Sequence, residues 1–258
     1  SGAIGLVTRF STPSLQTRDS GRAPARVAQW SRLLGVAALL LVFAGCASPL
    51  KQWGAETSLR ARAADFDAAQ LEQARSAVLT AVVSFGFEGY AHQVSRSLFK
   101  ALTQDPLHIS VLSPQMSLSR INRADLAADY TAMMAAYQQS GILNRATLGR
   151  LGEVLQSPYV FLPTLAWFDQ MMSERFNFFG VRILQTRISI LRLSLEIWDT
   201  RTGEIAWESS GEATLAGEDV REYRIPFEEI AEHLWATLLA DLQSRPAVPV
   251  SPGPPSSP

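Results

Sequence analysis

The chain has 258 residues, 47% hydrophobic and 18% charged, with a formal net charge of -1 at pH 7. That balance suits a core-forming globular chain and excludes the concentrated positive field that nucleic-acid binding requires. With 1 cysteine there is no intramolecular disulfide, and the 3 histidines, His92, His108 and His233, form no spaced pair of the kind that holds a metal.

The first residues are polar and begin without methionine, and a start nearer Val27 would give a compact leader. Arg32 to Cys46, RLLGVAALLLVFAGC, is the most specific stretch of the chain. From Leu33 to Gly45 it carries no charge, yet it is shorter than the ~18 to 20 apolar residues that cross a hydrocarbon core as a helix. Arg26 and Arg32 lead it and small residues end it, which is the layout of a secretory signal. Phe43-Ala44-Gly45-Cys46 resembles the lipobox of bacterial lipoproteins, with phenylalanine where leucine is usual. The resemblance implies cleavage between Gly45 and Cys46, a diacylglycerol on the Cys46 thiol and a third acyl chain on its freed amine. Two or more acyl chains hold a protein to a membrane stably, at ~0.8 kcal/mol per buried methylene. Ala47 is not aspartate, so by resemblance to enterobacterial sorting the destination is the periplasmic face of the outer membrane.

Four regions are expected: a signal over 1-45, a lipidated N-terminus and flexible tether over 46-70, a periplasmic α/β domain over 71-244 and a Pro-rich tail over 245-258. Within the domain, AVLTAVVS (Ala77 to Ser84) is a β-branched run that predicts a buried strand. Gly86 and Gly89 then break the chain before a helix over Tyr90 to Gln104. They do not make a phosphate loop, because the Walker pattern ends in Gly-Lys-Ser/Thr. Ser97 and Lys100 on that helix match the S-x-x-K of penicillin-recognising enzymes, but the companion S-D-N and K-T-G elements are missing. A solvated helix flank is the better reading.

HISVL (His108 to Leu112) predicts a second strand. Helices follow over Ala124 to Gln138 and, behind an Asn144 N-cap, along Leu148, Leu151 and Leu155. YVFLPTLAW (Tyr159 to Trp167) predicts a third strand, with Pro163 marking an edge or a bulge. Arg187 to Asp199 alternates strictly, with Leu191, Leu193, Leu195 and Ile197 on one side. Thr200 to Gly203 turns it, and Glu204 to Leu215 returns with Ile205, Trp207, Ser209 and Gly211 sharing a face. Pro226 opens a last amphipathic helix. Glu229 and His233 stand at i,i+4, a chelating step that here reads as a solvated face.

The expected fold class is thus α/β (α+β): a mixed sheet with a C-terminal antiparallel hairpin, flanked by amphipathic helices. The lipobox, the Gly86/Gly89 loop, and Asp199, Thr202-Gly203 and Trp207 in the hairpin resemble the periplasmic domain shared by the curli secretion lipoprotein, the lipoprotein activator of penicillin-binding proteins and TolB-N-terminal-like lipoproteins. The resemblance implies a non-enzymatic adaptor or assembly factor that binds an envelope protein. It implies no catalytic residue, no metal and no cofactor other than the lipid on Cys46. A homo-oligomeric, curli-exporter-like channel is the alternative. For contact with a partner or the membrane the candidate is RFNFFGV, in what reads as a long loop between the third strand and the hairpin. Phe176, Phe178 and Phe179 cluster there between Arg175 and Arg182, and aromatic residues rimmed by arginine are the composition of a protein-contact hot spot.

Overall fold

The computed structural model describes residues 51-104, 108-178, 181-219 and 226-244, without the side chains of 51, 172-186, 218, 219 and 244. In chain order the strands are β1 (Lys51–Arg62), β2 (Ser76–Val78), β3 (Val82–Val83), β4 (Val111–Leu112), β5 (Tyr159–Phe178), β6 (Val181–Asp199) and β7 (Glu204–Asp219). The helices are α1 (Ala69–Gln73), α2 (Ala91–Gln104), α3 (Pro114–Arg123), α4 (Ala127–Ser140), α5 (Arg145–Leu155) and α6 (Phe227–Ser244). The strands form one mixed sheet in the order β1-β7-β6-β5-β2-β4, with β3 beside β5. β1, β7, β6 and β5 are antiparallel neighbours, while β2, β3 and β4 add on in parallel. The mixed α/β class expected from the sequence is the class found.

Alternation on β6 creates two buried faces. Leu191, Leu193, Leu195 and Ile197 share a core with Val94, Leu98 and Leu102 of α2, and with Ile230, Leu234, Trp235 and Leu238 of α6. The opposite face, through Val160, Leu162 and Trp198, packs against α3 to α5 by way of Ile121, Tyr130, Met133, Leu148 and Leu151. Local chemistry places these helices. Asn144 caps α5 by accepting from the Thr147 amide at 3.0 Å, and Ser113 caps α3 by accepting from the Met116 amide at 3.2 Å, with Pro114 at the first turn.

Four expectations change. Residues 51-62 are an edge strand rather than a flexible tether: they pair along β7 from Lys51↔Gly217 to Arg62↔Trp207. The stretch taken as a loop between Trp167 and Arg187 is strand on both sides, β5 running on to Phe178 and β6 beginning at Val181, because Met171 pairs with Ile188 and Asp169 with Ile190 along it. The run 77-84 splits into β2 and β3: between them the Leu79 amide still donates to the Phe161 carbonyl at 3.0 Å, but the next two bond to side chains, Thr80 to the Tyr130 hydroxyl at 3.1 Å and Ala81 to Ser95 Oγ at 2.8 Å. Pro163 lies opposite that break, between the β5 residues that pair with β2 and those that pair with β3, as its missing N–H requires. Finally, a register shift between Ile197 and Trp198 puts Ile205 on the α3–α5 side while Trp207 stays in the α2/α6 core.

Candidate functional site

β5 and β6 have 20 and 19 residues, and they form a ribbon that outruns the rest of the sheet. Beyond Leu165, β5 pairs only with β6, so its outer edge is open among the described residues, as is the outer edge of β1. The register defines what lies at each level. Met172 pairs with Arg187, Arg187 with Gly217 and Gly217 with Lys51, so β1 begins at the ribbon end of the sheet. Phe176 and Phe178 are on the distal part of β5 and Arg175 is beside them, while Arg182 follows the first residue of β6. The backbone therefore brings these four to the tip region. Phe179, Gly45 and Cys46 lie outside the described residues.

Large apolar side chains are exposed near the base of this ribbon. Phe85 is 98% exposed, Met171 48% and Trp167 47%. Phe85 belongs to the loop that leaves β3, whose Ser84 amide donates to the Leu165 carbonyl at 3.0 Å. Trp167 meets the ring of Phe87 edge-on at 5.7 Å, and Phe87, Tyr90, Phe168 and Phe227 continue as an aromatic cluster into the core. On the opposite edge the ring of Trp53 lies against that of His233, ring centres 4.8 Å apart and the planes tilted by 43°. His233 is thus engaged by an indole, and among the described residues no group of acids, histidines or cysteines could hold a metal.

The S-x-x-K pair is not assembled. Ser97 Oγ is buried, donates to the Val94 carbonyl at 2.9 Å and accepts from Trp235 Nε1 at 3.0 Å. Lys100 Nζ instead reaches the Glu232 carboxylate at 2.6 and 2.8 Å. A hydroxyl committed to both bonds inside the α2/α6 interface has no access to an acyl donor. The glycine loop is likewise occupied from within, because the Gly86 amide donates to the Glu88 carboxylate at 3.1 Å. The backbone bonds of Glu88 and Gly86 hold that carboxyl below its ordinary value.

The β6–β7 turn is a polar latch. Asp199 accepts from the Arg201 amide at 2.8 Å and from its guanidinium, which also donates to the Tyr159 hydroxyl at 3.2 Å; that hydroxyl donates to Gln70 Oε1 at 2.5 Å. Burial pushes the Asp199 carboxyl upward, but the Arg201 guanidinium and amide override it and hold it below the usual value. Thr200 Oγ1 donates toward the Ser157 and Pro158 carbonyls, both at 3.1 Å. Gly203 has φ +77°, and a Cβ there would meet Arg145 Cγ at 2.7 Å. Asp199, Thr202-Gly203 and Trp207, on which the family resemblance rested, are therefore parts of a turn and a core. The latch escaped sequence reading because Gln70 and Tyr159 come from elements far from the turn. A second polar cluster was also missed: Glu196 accepts from the Tyr137 hydroxyl at 2.5 Å and from Trp198 Nε1 at 2.6 Å, directly opposite Glu208 on β7. Burial first, then the Glu208 charge, raises the Glu196 carboxyl against the lowering pull of those two donors. Burial likewise raises the Tyr137 hydroxyl, helped by its bond to Glu196.

No family model matches the chain, and no curated protein sequence does. Among solved structures it is similar to a PelC dodecamer from Paraburkholderia phytofirmans, at 12% identity and TM-score 0.40 over 75% of this chain and 99% of that one. It is also similar to the LpoB C-terminal domain from Escherichia coli, at 14% identity and TM-score 0.35 over 54% of this chain and 81% of that one. A third is the lipoprotein GNA1162 from Neisseria meningitidis, at 14% identity and TM-score 0.32 over 66% and 97%. Scores and identities this low carry no inference to this chain.

Proposed function

We propose that the chain is a non-enzymatic adaptor or assembly factor of the bacterial cell envelope, lipid-anchored through Cys46 on the periplasmic face of the outer membrane. The observation that supports this reading is the β5–β6 ribbon, whose open edge and aromatic tip suit contact with another protein. Its partner is an envelope protein, engaged by Phe176, Phe178 and Phe179 between Arg175 and Arg182. The covalent lipid is the one prosthetic group this reading needs. A second reading, a subunit of an oligomeric curli-exporter-like channel, draws on the two open edges, β1 and distal β5. These run antiparallel to each other and could join copies head to tail. It ranks second because, among the described residues, only β5 and β6 reach the tip, one hairpin rather than the two that the curli-exporter resemblance implies.

The test replaces Phe176, Phe178 and Phe179 with serine and follows envelope crosslinks and the melting temperature together. Lost crosslinks with an unchanged melt support the adaptor reading; unchanged crosslinks sink the assignment of the tip. In the same cells, Cys46→Ser should abolish labelling by a palmitate analogue, and equal labelling would show that Cys46 is not the acceptor.

A further inference from the structure

Among the described residues, the sheet face opposite α2 and α6 is covered by helices only over its proximal half. Its distal half is framed by the register. Trp167 pairs with Arg192, Asp169 with Ile190 and Met171 with Ile188; across β7 these rows continue to Glu212, Thr214 and Ala216, and on β1 to Glu56, Gly54 and Gln52. Trp167 and Met171 are about half exposed, Ile188, Ile190 and Ala216 are partly exposed, and a Cβ built on Gly54 would meet nothing. Phe85, almost wholly exposed, stands at the β5 edge of the same level. The Arg192–Glu212 ion pair at 2.5 Å closes the patch on its proximal side.

The chain itself indicates what covers this face. β1 begins at Lys51, whose row runs through Gly217 and Arg187 to Met172 and directly borders the row of Met171, Ile188, Ala216 and Gln52. Only four residues separate Cys46 from Lys51. At no more than ~3.6 Å per residue, an acyl-bearing Cys46 is held within about 18 Å of that row. Because β1 is hydrogen-bonded along β7, this length is all the slack the anchor has. We propose that the distal half of this sheet face, carrying Trp167, Met171, Ile188 and Ile190 with Phe85 beside it, is a membrane seat that rests on the lipid surface beside the anchor. The inference rests on the lipid-anchor reading of Cys46 and adds to it an orientation. Tryptophan and phenylalanine favour the headgroup level, where an indole is half wet. Asp169 within the patch and the open backbone edges of β1 and β5 require water, so contact is interfacial and not immersion.

Trp167 is its own reporter, since Trp198, Trp207 and Trp235 are buried. The full chain, purified from envelopes in a Trp30→Phe, Trp53→Phe background, is placed in vesicles of phosphatidylethanolamine and phosphatidylglycerol with or without bromine on the acyl chains. Acylation of Cys46 is read by mass on the same sample. The expected result is a loss of emission in brominated vesicles that Trp167→Phe removes, with the melt unchanged by that substitution. An acylated protein whose Trp167 is quenched by acrylamide but not by bromine would overturn the seat and leave the anchor standing. Protection from both quenchers would also overturn it, by showing that a second copy covers the face. Bromine quenching without acylation would uphold the seat and remove the anchor instead.

Discussion

Trp207 and Trp235 offer a matched experiment on the main core. Both indoles are fully buried, one on β7 and one on α6, in the same cluster. They differ in one bond: Trp235 Nε1 donates to Ser97 Oγ at 3.0 Å, whereas Trp207 Nε1 has no hydrogen-bond partner among the described residues. An indole buries ~150 to 250 Å², which at ~25 cal/mol per Å² is about 4 to 6 kcal/mol as an upper bound. Trp207→Ala should therefore cost ~3 to 5 kcal/mol, the usual range for such truncations. Replacement by phenylalanine separates volume from polarity. Trp207→Phe loses part of the ring but relieves an unpaired N–H that costs ~1 to 3 kcal/mol, while Trp235→Phe loses the same volume together with a bond worth ~0.5 to 1.5 kcal/mol. The second variant should be the less stable by about 2 kcal/mol. In urea, with a slope of ~2 kcal/mol per M for a chain of this size, that is a midpoint difference of ~1 M. Equal midpoints, or the reverse order, would refute the hydrogen-bond assignment and the view that the Trp207 N–H is a stored cost.

Glu196 should make stability depend on pH. Its folded value is raised by burial, so the folded chain binds the proton more tightly than the unfolded one, and stability present below the ordinary value of 4.5 is lost as pH rises through the raised value. Glu196→Gln should flatten the decline of urea midpoints above pH 4.5, and identical pH profiles for the two proteins would rule the carboxyl out as its source. Gly152→Ala tests the seat of the turn on α5: alanine favours a helix by ~1 kcal/mol, but its Cβ would run into the Thr200 side chain, which the Ser157 and Pro158 carbonyls hold in place. A net loss of ~1 to 3 kcal/mol is expected from the overpacking. A melting temperature that rises instead would show that the turn can shift.

The parts of the fold that could be read directly were those whose patterns are long and strongly apolar. The alternation of Leu191, Leu193, Leu195 and Ile197, the Asn144 cap and the stripe of the last helix each carry both a period and a boundary signal, and each is found in place. Short parallel strands are different. β2 and β3 have 3 and 2 residues, and what divides them is the capture of two amides by Tyr130 and Ser95, which are distant in sequence. The polar clusters around Arg201 and Glu196 were hidden for the same reason, since each takes a member from a helix packed against the sheet.

β1 was hidden by a weaker cause. Its sequence KQWGAETSLRAR does alternate: Ala55, Thr57, Leu59 and Ala61 are partly buried, and Gln52, Gly54, Glu56, Ser58 and Arg60 are exposed. Small residues on the inward side make that period faint, and as an edge strand β1 needs little apolar surface, because the β7 ladder supplies its backbone bonds. Charge on the outward side also keeps an open edge from pairing indiscriminately; Arg60, for instance, donates to Ser210 Oγ at 2.9 Å across the ladder. A faint strand and a flexible tether look alike in composition but differ in consequence. Under the proposed lipid anchor, a tether of the expected length would let the domain turn freely above the bilayer. A strand that begins at Lys51 puts that residue at the end of the sheet bearing the ribbon and the exposed side chains of Trp167, Met171 and Phe85, and the proposed membrane seat takes its orientation from that register.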